Sequence, residues 1–325
     1  MKLSDNATRV KEIRKKRKSR KTKIQKRNGK FARKSIFSLL RLLIIISVFI
    51  GLYLLIKFNT KYWNGKDKVN LVINSSGDTV SVVTFDPARG EIDTILIPVN
   101  TQVDVATGLG RWKLKSIWKL GEEEKLNGLL LAKTLTNQLK LPVYIWADRA
   151  SEGLASRNLV KIFKAVSVPY KTNMGVGDKI KIAFFNLSVK SSARKTINLE
   201  DSSYLKQSTL DDGSMGYIVT SKYPPDLLPV FSDEKISQNS LNVAIIDYSG
   251  DPEVAHTLGQ IIEVLGAKTA SIDREGAKDF GCEVSGQESL SNKIILLFGC
   301  TKTEKEEGSI FDLNLKIGTY FAKDF

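Results

Sequence analysis

GDTVSVVTFDPARGEIDTILIPVNT, residues 77–101, decides the architecture. Val80 to Phe85 and Ile92 to Ile97 are built from β-branched and aromatic residues that partly alternate with polar ones, the pattern of half-buried strands. Between them Pro87-Ala88-Arg89-Gly90 supplies turn chemistry, with proline presetting one φ and glycine free to take a positive one. A strand pair over Asp78 to Asp86 and Glu91 to Val99 is therefore expected.

Upstream, VNLVIN (Val69 to Asn74) adds a further strand. Downstream, WKLKSIWKL (Trp112 to Leu120) and NGLLLAKTLTNQLKL (Asn127 to Leu141) repeat apolar residues at helical spacing. VYIWAD (Val143 to Asp148) reads as a strand, Ser151 to Val166 as a helix, and the alternating KIKIAFFNLSV (Lys179 to Val189) as another strand. Strands and helices interleave along the chain, which predicts an α/β class, a mixed sheet packed with helices.

Residues 221–240, SKYPPDLLPVFSDEKISQNS, hold three of the eight prolines and little apolar patterning. A linker over 223–240 is expected, separating a module at 59–222 from one at 241–325. The second module opens with a strand ending at Asp247. A Gly-Asp-Pro turn follows, then a helix from Glu253 whose Val254, Leu258, Ile261, Ile262 and Leu265 share one face, closed by Gly266. Strands are expected near Thr269 to Asp273, at KIILLFGC (Lys293 to Cys300) and at FDLNLKIG (Phe311 to Gly318).

The net charge of +15 on 325 residues is unevenly placed. Residues 1–34 carry 16 Lys and Arg against Asp5 and Glu12, whereas everything from Ser35 onward is nearly neutral. The run Ile36 to Phe58 has Arg41 as its single internal charge and is long enough for a transmembrane helix, which needs about 20 apolar residues. The expected order is a basic cytoplasmic tail at 1–35, a span at 36–58 and about 265 residues outside, following the positive-inside bias, with Tyr62 and Trp63 at the outer interface. A cleaved signal peptide is the competing reading, disfavoured by the length of the run and the lack of a small-x-small cleavage site. The tail is expected to meet anionic membrane lipids. Nucleic acid is not an expected partner, because no aromatic residue interleaves with the charges up to Lys30.

Gly77-Asp78-Thr79 opening a strand, the proline turn, and the strand ending Leu96-Ile97-Pro98-Val99-Asn100-Thr101 together resemble the LytR-CpsA-Psr family of wall-polymer transferases, over roughly Val69 to Asp148. In that family the corresponding motifs are small-Asp-Thr and Ile-Pro-Arg-Asp-Thr, behind a single N-terminal membrane anchor. The resemblance implies transfer of a glycopolymer from a polyprenyl pyrophosphate carrier to the cell wall, with arginines gripping phosphate oxygens and a divalent metal offsetting charge. This chain departs from the family at the Arg-Asp pair, where it has Val99 and Asn100, and its first interstrand loop is only Ser75-Ser76-Gly77. Asp78 remains, and Arg111 and Arg149 are the candidate phosphate ligands, the other arginines after Asn59 being Arg89, Arg157, Arg194 and Arg274. The second module resembles the C-terminal domain found behind LytR-type catalytic domains, Asp312 to Gly318 matching its Asp-x5-Gly ending.

Two functions are therefore expected. One is an envelope-facing binding or scaffolding protein without catalysis, metal or other cofactor, whose partners are a cell-wall glycan, a lipid-linked precursor or an envelope protein. The other is a phosphotransferase using Asp78, Arg111 and Arg149 with a divalent metal. His256, the single histidine, has no Cys or acid at a spacing that completes a dyad or metal site. Cys282 and Cys300, the two cysteines, suit a disulfide in an oxidising compartment, with two buried thiols as the other reading.

Overall fold

The computed structural model describes residues 41–51, 53, 60–74, 77–220, 222–305 and 308–325. Residues 41–51 and 53 are helical. Among the described residues no helix is long and apolar enough to cross a membrane. The rest of the span expected at 36–58, and the basic tail 1–35, lie outside the described residues. Asn59–Phe325 forms one compact unit, described from here on by itself.

In chain order its first half gives β1 (Val69–Asn74), β2 (Thr79–Asp86), β3 (Glu91–Pro98), β4 (Thr101–Asp104), β5 (Arg111–Lys113), α1 (Leu114–Glu123), α2 (Gly128–Leu139) and β6 (Ile145–Asp148). Then come α3 (Leu159–Ser167), α4 (Val176–Ser188), β7 (Arg194–Asn198), β8 (Leu205–Thr209) and β9 (Met215–Val219). The first sheet has the order β6-β1-β2-β3-β7, antiparallel across β1, β2 and β3 and parallel at both edges. Strand periodicity splits its side chains between two cores. Val69, Leu71, Ile73, Val83, Phe85 and Ile92 face Ile162 and Ala165 of α3, Ile182 of α4, and Trp63. Val72, Val80, Val82, Ile95 and Ile97 face α1 and α2 through Leu114, Ile117, Leu130, Leu131 and Leu135. The product is a sheet between two helical layers, the α/β class the strand and helix order predicts. Burying each of these aliphatic side chains contributes about 1.5–3 kcal/mol. A second sheet, β5-β4-β9-β8, continues from the end of β3.

The second half gives β10 (Asn242–Tyr248), α5 (Pro252–Val264), β11 (Lys268–Arg274), β12 (Cys282–Gly286), α6 (Glu288–Phe298), β13 (Thr301–Lys302), β14 (Leu313–Gly318) and α7 (Thr319–Asp324). They form a third sheet of order β11-β10-β14-β12-β13. Its Val243, Ile245, Leu258, Ile294 and Leu315 belong to the same buried cluster as Leu71 and Phe85, so one apolar core runs through both halves.

Three local expectations are corrected. Residues 179–188 are helical, not a strand: Ile182, Ala183 and Asn186 are buried at helical spacing, and the Lys179 ammonium lies 3.7 Å from the Tyr170 ring centroid. The expected strand at 293–300 is the body of α6, where Leu290, Ile294 and Leu297 recur at i, i+4, i+7. It stops at Gly299, whose φ of 71° closes the helix in the left-handed conformation. Residues 223–240 are packed rather than extended. Leu227, Val230, Phe231 and Ile236 are buried, and Lys68 Nζ, in a 2.9 Å ion pair with Asp86, also donates to the carbonyls of Pro229, Val230 and Ser232.

Candidate functional site

The sequence-predicted residues separate into two places. Asp78 lies at the entrance to β2 and Arg149 just past the end of β6, both exposed at the same end of the first sheet, because Asn74 at the end of β1 is in register with Asp148. Strand β1 stands between them, a lateral spacing of about 10 Å. Val99, in the Arg position of the family motif, is fixed by its backbone: its N–H donates to the Asp78 carbonyl at 2.9 Å and its carbonyl accepts from Lys115 N–H at 3.0 Å. Asn100 turns its amide to the Met215 carbonyl at 3.4 Å, and its own carbonyl accepts from Tyr217 N–H. This sheet end thus passes the chain into β4 and the second sheet.

Arg111 belongs to the second sheet, on β5. It faces Asp104 in the cross-strand register, with Nε 3.1 Å from the Asp104 carboxylate and one terminal nitrogen 3.8 Å from Asp211. Both carboxylates hold its pKa above the ordinary arginine value, the Asp104 hydrogen bond first. Beside it Lys113 pairs with Asp212, whose carboxyl is pulled down to about 2 by hydrogen bonds from Lys113 and Ser214. A cavity of about 230 Å³ opens here, lined by Gln102, Asp104, Arg111, Gln138 and Ile218, with neither Asp78 nor Arg149 in its wall. A phosphate arriving at Arg111 meets Asp104 and Asp211 already in place, so binding requires displacing them or accepting their repulsion.

Groups of three His, Cys, Asp or Glu poised to hold a metal ion are absent among the described residues. His256 is on α5, exposed, with Nε2 3.1 Å from the Gln260 amide, at the rim of an open cavity shared with Asp273, Arg274 and Glu275. Cys282 and Cys300 are bonded to each other, tying β12 to the residue after Gly299, and both are buried.

A feature with no local sequence signal is the carboxylate of Asp178, fully buried in the first turn of α4. It accepts backbone N–H groups from Lys61 at 3.1 Å, Tyr62 at 3.2 Å, Trp63 at 3.0 Å and Gly175 at 2.9 Å. The chain entering the folded unit is clamped there, and Trp63 then inserts its ring beside Phe185 at a centroid distance of 5.8 Å. The pair α3 and α4 also leaves Leu159, Val160, Phe163, Val176, Phe184 and Leu187 exposed, Phe163 by 70% and Phe184 by 68%.

No family model matches the chain, and no curated protein matches it. Among solved structures it is similar to TagT of B. subtilis, 16% identical over 49% of this chain and 87% of that one, with a TM-score of 0.35. Lin1025 of Listeria innocua is 13% identical over 48% and 92%, with a TM-score of 0.35. TagV of B. subtilis is 10% identical over 64% and 100%, with a TM-score of 0.39. Likenesses of this size carry no argument on fold or function, and the functional reading rests on the chain's own residues.

Proposed function

We propose that this is a membrane-anchored, envelope-facing binding or scaffolding protein, related to the wall-polymer attachment proteins its strand motifs resemble and without their phosphotransfer chemistry. The anchor is the run 36–58, the tail 1–35 meets anionic lipid on the cytoplasmic side, and the unit Asn59–Phe325 works outside on a wall glycan, a lipid-linked precursor or an envelope protein. The observation that carries the reading is the occupation of the place where phosphate ligands belong. Val99 and Asn100 stand in the motif and are committed to backbone bonds, while Arg111 is held by Asp104 and Asp211 in a separate cavity. Pre-organised cations are what stabilise a transferring phosphoryl group, and here they are spread over two sheets. The Cys282–Cys300 bond supports the outward placement, since such bonds persist in oxidising compartments.

The phosphotransferase reading keeps one supporting observation, the exposure of Asp78 and Arg149 at the same sheet end. Topology is tested by digesting intact protoplasts with an external protease. Loss of epitopes after residue 60, with a tag before residue 35 protected and the fragment retained in carbonate-washed membranes, is the expected result. Protection of the C-terminal half refutes the orientation.

A further inference from the structure

We infer that the paired helices α3 and α4 form a second membrane contact, an apolar face with a basic border that lays the folded unit on the anionic bilayer surface. The inference rests on the anchored reading above. On α3, Leu159 and Phe163 are one turn apart with Val160 adjoining; on α4, Val176, Ile180, Phe184 and Leu187 follow at i, i+4, i+8, i+11. The exposed strips belong to one surface. Asn186, near the end of α4, donates to the carbonyl of Ser156, just before α3, which sets the helices antiparallel. Phe185, on the far flank of α4, packs on Trp63 and Phe85, and Ala165 of α3 abuts Gly153 on its far flank. By helical spacing, the flanks opposite Ala165 and Phe185 are those bearing Leu159 and Phe163 on α3 and Val176 and Leu187 on α4.

Apolar surface of this extent on a soluble face marks an interaction site, and two observations identify its occupant as the bilayer. The first is tether length. The apolar run ends at Phe58, and Lys61 is already bound at Asp178 in the first turn of α4. Three residue steps reach at most about 10 Å, so the sequence leaves little slack between the run that ends at residue 58 and the bound Lys61. The second is charge. Residues 156–190 contain seven Lys and Arg and a single acid, Asp178, which is buried, although the chain beyond Ser35 is nearly neutral. Arg157, Lys161, Lys164 and Lys190 are exposed at the borders. Apolar side chains on one face with basic residues beside them are what an interfacial helix presents to acyl chains and anionic headgroups.

The test places tryptophan in the face of the full-length protein, reconstituted in phosphatidylcholine vesicles with and without phosphatidylglycerol and with brominated acyl chains as quencher. Phe163→Trp and Phe184→Trp replace side chains about 70% exposed, so folding is expected to persist, checked by an unchanged unfolding midpoint. Ile310→Trp, at an 88% exposed position in the other half, is the control. The added emission of Phe163→Trp and Phe184→Trp should fall at least twofold with brominated lipid when phosphatidylglycerol is present, and Ile310→Trp should be unchanged. Adding Lys161→Glu and Lys164→Glu should reverse most of that quenching. Emission open to iodide and indifferent to brominated lipid overturns the proposal. Emission shielded from both overturns it as well and assigns the face to a second copy of the chain. Loss of every variant from carbonate-washed vesicles refutes the anchor instead, and the docking with it.

Discussion

Replacing Asp178 by alanine tests how the folded unit receives the chain that enters it. The carboxylate accepts four backbone N–H groups, and the Trp63 bond is buried. A buried donor left without a partner costs about 1–3 kcal/mol. Lys61, Tyr62 and Gly175 recover part of their loss from water once the segment loosens, which brings the total to about 3–5 kcal/mol, the upper range for a single substitution. For a unit of this size that corresponds to a fall in melting temperature of roughly 6–20 °C. Asp178→Asn keeps one acceptor oxygen and should lose about half as much. The assay is thermal unfolding of the purified protein followed by tryptophan emission, because Trp63 is buried against Phe85 and Phe185 and moves to water when 61–63 detach. A stability within about 0.5 kcal/mol of the parent for Asp178→Ala, the range of a neutral surface change, refutes the clamp.

Reduction of the Cys282–Cys300 bond, or Cys282→Ser with Cys300→Ser, should lower stability by about 3 kcal/mol, the chain-entropy value for a loop of this size, read by urea unfolding with and without reductant. Asp93 is buried on β3, and that burial, with Glu91 nearby, raises its pKa. The unfolded chain gives up this proton at lower pH than the folded one, so stability falls as pH rises through the interval between the two values and stays lower above it. Asp93→Asn should therefore stabilise the protein at pH 7, with the gain shrinking toward acid pH, in a pH series of melting temperatures. Arg111→Ala should change stability by less than about 1 kcal/mol, since its ion pairs are largely exposed.

The strands that organise the first sheet were legible because Val80, Val82, Ile95 and Ile97 keep the period of two on either side of a proline-glycine turn. The α5 helix was legible through its single apolar face and Gly266. KIKIAFFNLSV misled because lysines at 179 and 181 imitate strand alternation, while Lys179 is buried against Tyr170 and the true period is carried by Ile182, Ala183 and Asn186. KIILLFGC misled because a helix buried on one side within a short apolar run has no polar face to reveal it. Residues 223–240 read as a linker through their prolines, yet Phe231 and Ile236 fill space between elements that are distant in sequence. The separation of Asp78 and Arg149 from Arg111 follows from β4 and β5 leaving the first sheet, which no local pattern announces. Asp178 was invisible for the plainest reason: three of its four partners lie 115–117 residues away.

The central claim is that the envelope-facing unit binds or places its partner without transferring phosphate. The direct measurement is incubation of the purified full-length protein with a polyprenyl pyrophosphate-linked glycan analogue, with and without a divalent metal, scoring both binding and release of polyprenyl phosphate. The account predicts no release, and no metal-dependent binding that Arg111→Ala or Arg149→Ala abolishes. Metal-dependent micromolar binding lost in either variant, with turnover of the carrier, contradicts it and makes the chain a transferase.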